Sequence, residues 1–181
     1  MTADPIEITA YDPTWPEKFA LEKRTIFHTL GFMPGLKVEH FGSTSVPGLA
    51  AKPILDLMVG VSRKEDWPKL IKPLEMRGYL YWTANPKPDE LFFVKGMPPS
   101  GERRTHHIHV YELHGERWKR ELAFRDYLIT HPQEAKNYEA LKMNLAMRFQ
   151  FDREAYTNGK TPFIESVLNK IREKNNPHAQ H

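Results

Sequence analysis

Apolar residues recur at Trp15, Phe19, Ile26, Phe27 and Leu30, spacings that stripe one side of a helix over Thr14 to Leu30, and Pro16 suits its first turn. A short extended opening, IEITAYD, precedes it, and Gly31 with the Pro34-Gly35 pair stops it. LKVEHF then reads as a strand ended by Gly42, and PILDLMVGV as a second strand. The spacing of Trp67, Leu70, Ile71 and Leu74 predicts a helix from about Lys64 to Arg77, closed by Gly78. YLYW, ELFFVKG and THHIHVYEL give three more strands, the last two joined by the turn-rich MPPSGERR. From there the pattern is helical: Glu116 to Thr130, Pro132 to about Phe149, and about Arg153 to Arg172. The polar tail EKNNPHAQH, residues 173–181, is expected to fray.

Strands gathered early and helices gathered late predict an α+β fold, a mixed β-sheet of about five strands with flanking helices and a helical C-terminal part, instead of an alternating doubly wound fold. With 181 residues, 40% of them hydrophobic, the chain suits one domain spanning 1–181. Neither G-x-G-x-x-G nor G-x-x-x-x-G-K-[ST] occurs. The 26 basic and 23 acidic residues leave a formal charge of +3, which permits phosphate-bearing ligands but argues against nucleic acid as a partner. Without cysteine, disulfides and thiolate metal sites are excluded, and any metal falls to carboxylates and imidazoles. The N-terminus has no basic segment followed by an apolar run, and no apolar stretch nears the ~18 residues of a membrane span, so a cytoplasmic protein with no membrane partner is expected. The oligomeric state stays open.

One carboxylate, Asp56, stands inside the apolar run Ile54 to Val59. A partly desolvated carboxylate needs a cation or several donors opposite it. The preceding strand ends in Gly42-Ser43-Thr44-Ser45, where glycine lets the backbone approach closely and the hydroxyls can receive a phosphate; a plain capping turn has the same composition. Twelve residues intervene between Ser43 and Asp56.

That spacing resembles the nucleotidyltransferase superfamily signature, in which a Gly-Ser turn holds the triphosphate and an acid-x-acid pair on the next strand holds magnesium. The longer string HFGSTSVPGLAAKPILDLMVGV, with RTHHIHV and YEALKMNLAMRF, resembles the GrpB family, whose domain belongs to that superfamily and is sometimes fused to dephospho-CoA kinase. The likeness extends from YDPTWPEKF to YTNGKTPFIESVL. It implies a nucleotidyltransferase-like sheet, with Gly42, Ser43 and Thr44 at the phosphates and Asp56 at a metal. One position departs: the second acid is replaced by Met58, which cannot serve magnesium.

On the histidine strand, alternation puts His107 and His109 on one face and His106 on the other. The pair can ligate a transition metal, bind phosphate, or form a polar strand face; the resemblance implies that it stands where the superfamily supplies a third acid. His40, two before Gly42 on the first strand, can flank the same cleft or be structural, while His28, His114, His131, His178 and His181 share no ligand spacing. Lys52, extended before Pro53, and Arg104, beside Arg103 ahead of the histidine strand, are within possible reach of an anion, or are surface cations. Leu141, Leu145 and Ala146 or Met147 read as a core stripe, with Tyr138 and Lys142 one turn apart on another side; Tyr156 and Lys160 repeat that spacing. The resemblance implies a lysine on the triphosphate and a ring on the base from these pairs; ordinary helix packing explains them equally.

The expectation is therefore a nucleotidyltransferase-like protein that takes a nucleoside triphosphate as substrate with a divalent metal (magnesium or manganese, with zinc possible) and transfers a nucleotidyl group to an unknown small-molecule or protein acceptor. Asp56, His107 and His109 would be both catalytic and metal-binding; Gly42, Ser43, Thr44, Lys52, Arg104, Lys142, Tyr156 and Lys160 would hold the nucleotide. The alternatives are a non-catalytic nucleotide-binding module of the same fold, which Met58 favours, and a His/Asp metal-dependent phosphoesterase.

Overall fold

A computed structural model describes residues 5–31, 33–84 and 87–175. Five strands form one sheet in the order β1-β2-β5-β4-β3: β1 Lys37–Phe41, β2 Leu55–Val61, β3 Tyr79–Tyr81, β4 Leu91–Lys95 and β5 His106–Glu112. β2 and β5 run parallel at the centre, and the remaining pairs are antiparallel. The helices are α1 Trp15–Leu30, α2 Pro68–Glu75, α3 Glu116–Thr130, α4 Pro132–Arg148, α5 Arg153–Gly159 and α6 Thr161–Asn175. The α+β fold with a mixed five-stranded sheet is as the pattern predicts. None of the described helices is long and apolar enough to cross a membrane.

The period of two in the strands sorts the sheet into two unlike faces. Leu55, Leu57, Val59 and Val61 with Ile108 and Val110 point to one side, where α1 and α2 cover them with Trp15, Ile26, Leu70 and Leu74 in the main core. The alternate residues Asp56, Met58, His107, His109 and Tyr111 point to the other side. There α3 lays Trp118 on Phe41, Met58 and Tyr111, α4 and α6 pack on α3, and α5 packs on α4 and α6. Only part of that second face is sealed by apolar side chains, and the remainder is the polar cleft described below.

Three predicted segments differ in detail. Residues 64–77 do not form one helix: Lys64–Asp66 is a tight 3-10 turn and α2 begins at Pro68. Pro68 has no N–H to continue the ladder from the turn, so the helix restarts there. The single helix expected from Arg153 to Arg172 is likewise broken at Lys160, because Pro162 lacks the amide that residue 158 would receive. Asp152 caps the first piece by accepting from the Ala155 amide at 2.9 Å. α6 continues to Asn175, so 173–175 belong to the helix, and the rest of the expected frayed tail, 176–181, lies outside the described residues.

The stripe assigned to α4 also shifts. Tyr138, Lys142, Leu145 and Ala146 are its buried residues, whereas Met147 is 76% exposed. Lys142 sits inside because its ammonium donates to the Ala50 carbonyl, while Glu139 accepts from the Ala50 amide at 2.6 Å. Together they clamp the segment that leads into β2.

Candidate functional site

The parallel pairing of β2 with β5 places Asp56 beside His107 and Met58 beside His109. His107 Nδ1 donates to Asp56 Oδ1 at 3.0 Å. Burial opposes ionisation of Asp56, but the hydrogen bond from His107 and the nearby His107, His109 and Lys52 outweigh it and hold the carboxyl down at about 2. Burial lowers His107 to about 4, against the pull of Asp56, so at neutral pH the pair is a carboxylate facing a neutral imidazole. With Nδ1 carrying the proton, His107 Nε2 is an acceptor, and it is buried with no hydrogen-bond partner among the described residues. One ligand atom each from Asp56, His107 and His109 lie within 4.8 Å of one another.

The glycine-serine turn lies directly over this acid. Gly42 has φ +70°, and a Cβ there would come within 2.5 Å of Asp56 Oδ2. No other residue type fits both the backbone and the space. Ser43 lies beside the Tyr138 hydroxyl. Thr44 is buried and its hydroxyl pairs with His40 Nε2 at 2.9 Å, so it fastens the turn to β1. His40 stacks on Phe19, with ring centroids 4.7 Å apart.

Cations crowd the opposite wall. The Lys52 and Lys160 ammonium groups lie 5.1 Å and 4.8 Å from the centre of the Tyr156 ring, and Lys142 lies 5.1 Å from that of Tyr138. Burial, then repulsion by Lys160, lowers Lys52 to about 7, and Arg153 and Arg104 add to that repulsion. Lys142 is also lowered to about 7, by burial first, then by Lys160 and Lys52. Burial lowers Lys160, with Asp56 and Glu121 opposing. Tyr156 is 1% exposed, so its ring is a platform for two ammonium groups and offers no open face to a base. Arg104 lies over Trp82 at 5.1 Å and contributes its charge to Lys52.

The structure thus brings Asp56, His107, His109, Gly42, Ser43, Lys52 and Lys160 to one cleft, with Lys142 and Tyr156 beneath it, while Thr44 turns away. His106 points to the other face, as alternation requires, and feels the charge of Glu22. Met58 is fully buried against Phe41, Tyr111 and Trp118, so the place of the second acid has become core.

Two carboxylates escaped the sequence reading. Glu90, just before β4, accepts from His109 Nδ1 through Oε1, receives the Tyr111 hydroxyl at 3.3 Å, and meets Lys87 at 3.1 Å through Oε2. Burial opposes its ionisation, but His109 and Lys87 outweigh that and hold it at about 2. Glu121 lies one turn from both Arg117 and Arg125, which reach Tyr111 and the His40 carbonyl, so it hangs over the cleft from α3. Burial raises its pKa. The only sequence signal for Glu121 is its position on the sheet-facing stripe of α3; Glu90 had none before the β4–β5 register was known.

Comparison with known proteins gives the family and the fold. A dephospho-CoA kinase of Mycolicibacterium paratuberculosis is 28% identical over 92% of this chain and 46% of its own length. The Cid1 poly(U) polymerase, in a complex with Mg 3'-dATP, superposes with a TM-score of 0.55 at 14% identity, over 84% of this chain and 49% of that one, which establishes the nucleotidyltransferase fold alone. The conserved protein GrpB from Enterococcus faecalis superposes with a TM-score of 0.80 at 35% identity, covering 93% of this chain and 98% of that one. A UPF0157 protein of Pseudomonas aeruginosa is 47% identical over 92% of this chain and 68% of its own length. The model of the family described as GrpB protein matches residues 5–170, and the chain belongs to the GrpB family.

Proposed function

We propose that this chain binds a nucleoside triphosphate and a divalent metal ion in the cleft over Asp56, and transfers a nucleotidyl group to a small-molecule or protein acceptor. One observation carries the reading: three lysines with depressed proton affinity gather beside the Gly42-Ser43 turn and the Asp56–His107–His109 cluster. Cations that repel one another in a desolvated wall favour an anion of matching charge, and a polyphosphate supplies it.

The donor set fits a metal: an ionised carboxylate and an imidazole whose facing atoms lie 3.0 Å apart, and a second imidazole oriented by Glu90. Asp56, His107 and His109 would hold the ion, which when bound would offset charge on the reacting phosphate. The Gly42 amide and the Ser43 hydroxyl donate to phosphate oxygens. Lys52 and Lys160 neutralise the departing pyrophosphate, and Tyr156 holds both ammonium groups in place. As the acceptor hydroxyl attacks the α-phosphorus and gives up its proton to solvent, the bond to the β-phosphate oxygen breaks in line with it.

Met58 supports a second reading, a nucleotide-binding module without turnover, because the site lacks the second carboxylate of a two-ion centre. A pyrophosphate-release assay with ATP, CTP, GTP and UTP against a panel of hydroxyl acceptors separates the two. Acceptor-dependent release that disappears in Asp56→Asn is the expected result. Triphosphate binding without release from any acceptor overturns catalysis and leaves the module.

A further inference from the structure

We infer that Glu90 is a positioning residue that makes the Asp56–His107–His109 cluster a site for a borderline transition ion of the zinc class in preference to magnesium. The inference rests on the proposal that the cleft holds a divalent metal, and adds which ion the protein itself selects and which residue sets that choice.

His109 is enclosed by rings: Phe92 at 4.7 Å, Phe41 edge-on at 5.0 Å and Tyr111 at 6.2 Å between centroids. Apolar walls do not fix which imidazole nitrogen carries the proton. Glu90 does, because an ionised carboxylate only accepts, so the Nδ1 it meets carries a proton and Nε2 is the nitrogen turned away from it. The carboxylate itself cannot swing away. Its side chain is 2% exposed, the Tyr111 hydroxyl donates to Oε1 at 3.3 Å, and Lys87 holds Oε2 at 3.1 Å. A carboxylate that accepts from the far nitrogen of a ligating histidine raises its basicity and fixes its orientation.

The cluster therefore offers the His109 imidazole set by Glu90, with the His107 Nδ1 and the Asp56 carboxylate 3.0 Å apart beside it. Magnesium demands oxygen donors in an octahedron and gives up water reluctantly, whereas imidazole suits zinc, copper, iron and nickel. Met58, sealed under Trp118, removes the oxygen that would have tipped the balance back. Magnesium accordingly arrives with the triphosphate, while the protein alone retains the softer ion.

The test uses the full chain freed of metal by chelation, then dialysed against zinc, manganese or magnesium and read by elemental analysis and calorimetry. About one zinc per chain is expected, bound roughly 100-fold or more tighter than magnesium. Glu90→Gln should weaken zinc by about 10–100-fold. Glu90→Asp, which keeps the charge beside Lys87 but withdraws it from His109, should fall between. Both should leave ATP affinity, measured with chelator present, unchanged, which a general loss of structure would not. The visible spectrum of the cobalt-substituted wild type should show nitrogen ligation that Glu90→Gln alters. Magnesium binding as tightly as zinc overturns the inference, as does unchanged zinc affinity in either folded variant. Should Glu90→Gln fail to fold, the wild-type comparison and Glu90→Asp decide. ATP binding without zinc binding defeats this inference alone; loss of both defeats the proposed function with it.

Discussion

Replacing Gly42 with alanine perturbs the site at its tightest point. Its φ of +70° and ψ of −172° are a conformation that residues with a Cβ rarely hold, at about 1–3 kcal/mol. The new methyl would also stand 2.5 Å from Asp56 Oδ2 and 3.1 Å from its Cβ and Cγ, where ordinary contact begins at 3.4 Å. The carboxylate must retreat by roughly 0.9 Å, an overpacking worth about a further 1–3 kcal/mol, and its 3.0 Å bond to His107 goes with it. Gly48 supplies the control, since its φ is +78° but nothing lies within 4 Å of a Cβ there. Gly48→Ala bears the backbone strain alone. At about 2–4 °C per kcal/mol for a chain of this size, the two melting temperatures should differ by roughly 3–10 °C, with Gly42→Ala the lower. Paired thermal melts and zinc or manganese titrations read both effects, and only Gly42→Ala should lose metal affinity, by ten-fold or more, on the order of what a comparable misplacement costs elsewhere. Equal melting temperatures with unchanged metal affinity would refute the claim that the turn closes on Asp56.

Asp56→Asn should leave the chain folded but about 2 kcal/mol less stable at neutral pH, because the folded carboxyl titrates at about 2 against an ordinary 3.8. That contribution is fully present above the ordinary value and is lost as pH falls through the folded one, so denaturant melts of wild type and variant should converge between about pH 4 and 2. Lys52 has the opposite character: its folded form sheds a proton at about 7 while the unfolded chain keeps it to 10.5, so stability rises with pH across that window. Lys52→Met should flatten the rise, raise the melting temperature of the ligand-free chain at pH 6, and weaken ATP. Triphosphate binding at pH 7 to 8 should draw protons onto Lys52 and Lys142, measured as a heat that varies with the buffer's ionisation enthalpy, and Lys52→Met should diminish it.

The elements that a period of two or 3.6 can announce were legible in the sequence: five strands, the long helices, and the split of His107 and His109 from His106. Asp56 was legible as an anomaly, one charge among apolar neighbours that needed a counterpart. The parallel β2–β5 pairing that supplies it joins residues 51 positions apart, which no local pattern encodes. Lys142 was misplaced on α4 because a lysine scores as polar; the carbonyl of Ala50 is what lets it enter the core. Pro68 and Pro162 fall inside stretches whose apolar pattern predicts single helices, yet the missing amide splits both. Glu90 and Glu121 stayed hidden because their roles depend on strand register and helix rotation instead of on any motif.

The central claim is that the lysine-lined cleft takes a triphosphate together with a divalent ion. Calorimetry with ATP alone, magnesium alone and the two together measures it directly. With Met58 in place of a second acid, magnesium alone should bind weakly, ATP should bind through the lysines, and each should strengthen the other by the same factor, as linkage requires. No heat of binding from ATP in any combination, with the wild-type chain folded, would contradict the account.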